Sequence, residues 1–75
     1  MSNRPYVLPG RVDGWDPNAF NRARVKARLT FQQFADRMGV ALSNAHGWST
    51  TKRPPNKLLG KIARVLRCEQ KDLLQ

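Results

Sequence analysis

Apolar residues fall at helical spacing from residue 17 onward, whereas the first fifteen residues show no period at all. Residues 1–15 hold Pro5, Pro9, Gly10 and Gly14, a composition that predicts an extended N-terminal arm rather than a helix or a central strand. Tyr6 and Trp15 are the side chains able to pack that arm down. At Asp16-Pro17 the pattern changes to an N-cap followed by proline at the first helical position. Phe20, Ala23 and Ala27 then recur at three- and four-residue intervals, which predicts a first helix over 17–28. Its outer face carries Arg22, Arg24, Lys26 and Arg28, whose simplest role is to keep that face wet.

Thr30-Phe31-Gln32-Gln33 has the spacing of a capping box, and Leu29 and Phe34 stand at the two positions of a hydrophobic staple. Phe34, Ala35 and Met38 continue a buried stripe as far as Gly39, a residue suited to the left-handed end of a helix. The second helix is therefore expected over 31–38. A third stretch over 42–49 places Ala45 and Trp48 on one face and leaves Leu42, Ser43, Asn44, His46 and Gly47 mostly off it. So little apolar surface makes a poor core element, but small, hydrogen-bonding side chains suit an element that enters a groove. Thr50-Thr51-Lys52-Arg53-Pro54-Pro55 forbids helix and predicts a basic loop. Asn56 is the expected cap of a fourth helix over 57–67, with Leu58, Leu59, Ile62, Ala63, Val65 and Leu66 supplying core. A fifth, short helix over 69–74 ends in Leu73-Leu74.

Seventy-five residues and 40% hydrophobic content suffice for one small all-α domain, expected over 16–75 behind the arm 1–15. A chain of this size buries only about 60% of its unfolded surface, too little for most enzymes. The single cysteine, Cys68, excludes an internal disulfide, and one Cys with one His makes a metal site not credible. No apolar run approaches the roughly 18 residues of a membrane-spanning helix, and the opening residues lack a signal core. A cytoplasmic protein without cofactor or small-molecule ligand is expected.

Charge changes the picture most. Fourteen Lys and Arg stand against five Asp and Glu, for a net charge of +9. Residues 17–67 concentrate it, holding eleven bases against the single acid Asp36, a net +10. Such self-repulsion in a compact domain predicts a polyanionic partner, with nucleic acid foremost and an anionic membrane surface as the rival. Catalytic constellations are missing: there is no Ser/His/Asp arrangement, no acid pair and no phosphate-cradling glycine loop, so no enzymatic activity is expected.

The run LTFQQFADRMGVALSNAHGW resembles the helix-turn-helix of the lambda-repressor and Cro family, also called the XRE type. With Phe31 as the first residue of the motif, the fifth is the small Ala35 and the ninth is Gly39. The fourth, eighth, tenth and eighteenth are the apolar Phe34, Met38, Val40 and Trp48. Small size at Ala35 lets two helices cross closely, and Gly39 makes the turn between them. Flanking residues extend the resemblance over about 17–74: Arg24 in the first helix, Leu29-Thr30 before the second, the loop Lys52-Arg53-Pro54-Pro55, and the apolar Leu59, Ile62, Ala63, Leu66 and Leu73-Leu74. Several positions depart from the pattern. Ala45 replaces a branched residue, Arg28 a glycine, and Ser49 an acid that in the family pairs with the arginine at Arg24. Phe31 replaces a phosphate-touching glutamine, a role open to Gln32 or Thr30.

The resemblance implies a five-helix lambda-repressor-like domain that binds double-stranded DNA in a sequence-specific way, as a phage or prophage repressor or Cro protein does. Helix 42–49 would then read the major groove, with Leu42, Ser43 and Gly47 at base-facing positions and Asn44 and His46 beside them. Phosphate contacts would come from Thr30, Gln32, Arg22, Lys26, Thr50, Lys52, Arg53 and Lys57, with Arg37 and Lys61 as further basic candidates. No arginine is placed for a bidentate guanine contact, so shape and phosphates would carry much of the discrimination. Palindromic half-sites imply a homodimer, weak in solution and strengthened on DNA, with Val65, Leu73 and Leu74 as its self-contact. Two other functions fit the same residues: the antitoxin of a toxin–antitoxin pair, and a nonspecific basic nucleic-acid or membrane-binding module.

Overall fold

The computed structural model describes residues 11–75. Among them are four α-helices and no named strand: α1 (Pro17–Lys26), α2 (Phe31–Met38), α3 (Leu42–Trp48) and α4 (Asn56–Leu66). The all-α expectation holds, but the fifth helix does not form. Residues 69–74 make only a 3₁₀ turn, Gln70–Leu73, in which Glu69 and Asp72 cap each other's backbone.

Local chemistry explains most boundaries. The Asp16 carboxylate accepts the Asn18 amide at 3.0 Å, starting α1 with Pro17 behind it. In α2 the Thr30 hydroxyl accepts from the Gln33 amide at 3.1 Å, and the Gln33 side chain accepts from the Thr30 amide at 2.9 Å, completing the capping box. Gly39 ends α2 with φ 73°. Three expected boundaries shift. The first helix stops at Lys26 instead of 28 because Arg28 turns into the left-handed region with φ 61°. The third ends at Trp48, one residue before Ser49. The fourth begins with Asn56 inside it: Pro55 holds the cap position, and no side chain caps there. Its C-terminal end is Arg67, also left-handed at φ 56°.

Arginine in that conformation carries a Cβ penalty that glycine escapes, on the order of 1 kcal/mol. Arg28→Gly and Arg67→Gly are each expected to raise the unfolding free energy by about 0.5–1 kcal/mol, measured by urea titration. An unchanged or lower stability would mean that contacts of the arginine side chains outweigh the relief of the backbone.

The core is an aromatic row across the helices. Trp15 lies 5.4 Å from Phe20, Phe20 meets Phe34 edge-on at 5.1 Å, and Phe34 meets Trp48 edge-on at 6.1 Å, arrangements favoured by the ring quadrupoles. Ile62, Leu66 and Leu73 close it from the C-terminal side.

Two members of this core lie in the segment expected as an arm. Val12 and Trp15 are 2% and 4% exposed, so residues 11–15 are packed against the helices. Their backbone is also fixed: Val12 donates to the Pro54 carbonyl at 2.9 Å, Asp16 donates to Leu73 at 3.0 Å, and Gln75 donates to Gly14 at 2.7 Å. The remainder of the expected arm, including Arg4 and Tyr6, lies outside the described residues. Leu73 is fully buried at 0% exposure, so in the folded chain it is part of the core and presents no surface to a second copy. Leu74 and Val65 are half-buried.

Candidate nucleic-acid interface

A helix of seven residues is marginal alone, so what holds α3 in place decides what it presents. Ala45 and Trp48 are its buried residues. The carbonyls at its C-terminal end, which no intrahelical amide can satisfy, are taken up from elsewhere. The Ser49 hydroxyl donates to His46 at 2.6 Å, and the Lys52 amide donates to Gly47 at 2.9 Å. The Trp15 indole donates to Trp48 at 2.8 Å, and the Asn21 amide group donates to Ser49 at 3.4 Å. The N-terminal segment and α1 thus brace the end of α3.

Its other face stays open. Leu42 is 38% exposed, and Ser43, Asn44 and His46 are exposed beside it. His46 is not a free surface side chain, however. Its ring lies 4.3 Å from that of Phe31 at an interplanar angle of 32°, and the Arg24 guanidinium lies 4.0 Å from the same Phe31 ring. Arg24 also donates to the Leu29 carbonyl at 2.6 Å. With no acid at Ser49, Arg24 takes a carbonyl and an aromatic face instead, tying α1 to the start of α2, whose Phe31 in turn meets His46 of α3. Sequence spacing did not reveal this stack; the aromatic Phe31 at the first position of α2, four residues from the Ala35 crossing, was its only trace.

Gly47 has a packing reason as well as its expected base-facing position. A Cβ there would meet Lys52 side-chain carbons at 2.8 and 3.2 Å, so glycine lets the Lys52 stem lie across α3. Lys52 and Arg53 follow in the exposed loop, joined by Arg11, which donates to the Arg53 carbonyl at 3.2 Å. The Arg53–Asp13 pair at 3.4 Å is solvent-exposed and contributes little. Lys57 is exposed in the first turn of α4, where the helix dipole repels a cation and favours an anion beside it.

The other expected phosphate contacts divide. Thr30 uses its oxygen in the cap, with its proton left to donate. Gln32 donates to the Asp36 carboxylate at 2.9 Å. Thr50 donates to the Gly47 carbonyl at 3.2 Å, and Lys61 to the Met38 carbonyl at 3.1 Å. Arg22, Lys26 and Arg37 are drawn together elsewhere, in a groove of about 820 Å³ between α1, α2 and the end of α4. No residue of α3 or of the following loop lines it. Arg28 and Arg67, the two left-handed arginines, complete its basic lining. At its edge burial, and then the Asp72 carboxylate, push the Cys68 thiol above its ordinary range, so it is protonated at neutral pH.

Among the described residues no group of His, Cys, Asp and Glu is placed to hold a metal ion. No helix among them is long and apolar enough to cross a membrane. No protein-family model, no curated protein and no solved structure matches this chain.

Proposed function

We propose that this protein is a sequence-specific double-stranded DNA-binding regulator of lambda-repressor-like fold, working by binding and not by catalysis. The observation that carries the reading is the posture of α3. It is a short helix braced at its C-terminal end from three directions, with Leu42, Ser43, Asn44 and His46 outward and a basic loop directly behind. Nothing in the packing of the domain requires Leu42, Ser43 or Asn44, while His46 lies against the Phe31 ring. Hydroxyl, amide and imidazole groups match donors and acceptors on base edges, and the Leu42 side chain matches a thymine methyl. Lys52, Arg53, Arg11 and Lys57 supply the phosphate attraction that holds such a helix in its groove. Two copies would occupy a palindrome, meeting through a surface that does not include Leu73.

Binding-site selection from random duplex DNA tests the reading. A palindromic consensus bound by two subunits is the expected result. Recovery of unrelated sequences with equal affinity would leave only a nonspecific basic module.

A further inference from the structure

The basic groove lies apart from the surface assigned to DNA, and its chemistry differs. Five cations converge on it: Arg22 and Lys26 from α1, Arg37 from α2, and Arg28 and Arg67 from the two helix ends. Only one acid, Asp72, lines it. Its floor is apolar, made of Ala23, Ala27 and Val65 over the buried Leu29 and Leu66. Two of the cations stand at positions where glycine would relax the backbone, φ 61° and 56°. Both strained positions therefore lie on the lining of the same groove.

We propose that this groove docks an acidic, amphipathic peptide segment of a partner protein. Carboxylates would meet the arginine rim, where planar guanidinium groups bind them two bonds at a time, and apolar side chains would cover the floor. A duplex backbone offers phosphates but no apolar side chain for that floor. A second copy of this chain brings few carboxylates to meet the rim, five acids against fourteen bases. The chain's residues 1–10 contain no acid, so they bring no counter-charge either. Because α3 and its loop take no part in the groove, peptide and DNA would be held together on one domain. The inference goes beyond DNA binding and stands independently of it.

The test uses the full chain and a fluorescein-labelled peptide with Glu along one helical face and Leu along the other, read by anisotropy at about 0.1 M salt. A second peptide with every Leu replaced by Ser keeps the charge and removes the apolar face. The variant Arg28→Gly with Arg67→Gly loses two rim charges at positions glycine tolerates. Arg64→Gln with Lys71→Gln removes the same charge outside the basic lining. The Leu peptide is expected to bind at least about fivefold more tightly than the Ser peptide. The glycine variant should weaken it about tenfold, and the control variant less than about threefold. Mixed-sequence duplex should bind the two variants equally. Equal weakening of the peptide by both variants, equal binding of the two peptides, or no peptide binding would overturn the proposal. A selective loss of duplex affinity in the glycine variant would instead make the groove a phosphate track.

Discussion

Trp15→Ala is expected to destabilise the domain by about 3–5 kcal/mol, as large-to-small changes of buried aromatics do, enough to unfold much of a protein this small at room temperature. The indole is 4% exposed, packed at a tilt against Phe20, and hydrogen-bonded to the Trp48 carbonyl. Trp15→Phe separates the two contributions: it keeps most of the packing and leaves the Trp48 carbonyl without its donor, for a loss of about 1–2 kcal/mol. Urea unfolding of both variants checks this. A loss under 1 kcal/mol for Trp15→Ala would mean that residues 11–15 are not part of the cooperative unit.

The second large effect concerns the outward face of α3. On a selected DNA site, Ser43→Ala and Asn44→Ala should each cost about 1–3 kcal/mol and leave scrambled DNA unaffected. His46→Ala belongs to the same class, and Phe31→Ala should reproduce part of its effect by freeing the imidazole. Lys52→Ala and Arg53→Ala should weaken both DNAs alike and flatten the salt dependence by about 0.9 per lost contact in the log–log slope. With Arg22, Lys26 and Arg37 in the other groove and Lys61 engaged at Met38, about four phosphate contacts per subunit remain. The slope is then about −3.6 per subunit. Filter binding or anisotropy across a salt series measures it. Uniform losses from Ser43 and Asn44 on both DNAs would place α3 outside the major groove.

Features written in neighbouring residues were legible from the sequence. Asp16-Pro17, the Thr30 to Gln33 box and Gly39 each act within one turn of the chain, so spacing alone located them. Ala45 and Trp48 were legible as the buried face of α3 for the same reason. What escaped depends on distant partners. Nothing near Trp15 announces that its indole meets a carbonyl thirty-three residues away. The left-handed turn at Arg67 was hidden because the residue type argues against the conformation, whereas at Arg28 the glycine of the resembled pattern was a sign of it. At Leu73 the sequence correctly marked an apolar position. Whether such a residue faces the core or a second copy depends on what covers it, and here α1 and α4 pack against its turn. The phosphate candidates failed to converge because helical spacing places Arg22 and Lys26 on a face without saying which way that face points.

The pairing of residues 14–16 with 73–75 makes the described chain a hydrogen-bonded ring. Trp15 and Leu74 bridge it, and the Asp16 and Gln75 amides lock it from opposite strands. Most small helical domains fray from whichever end is looser, one turn at a time. In this one the two described ends hold each other, so opening either costs hydrogen bonds that both share. Closure of that ring joins residues 14 and 75, the most distant partners in the described chain, so the contacts that hold Trp15 in place carry its largest loop-closure entropy.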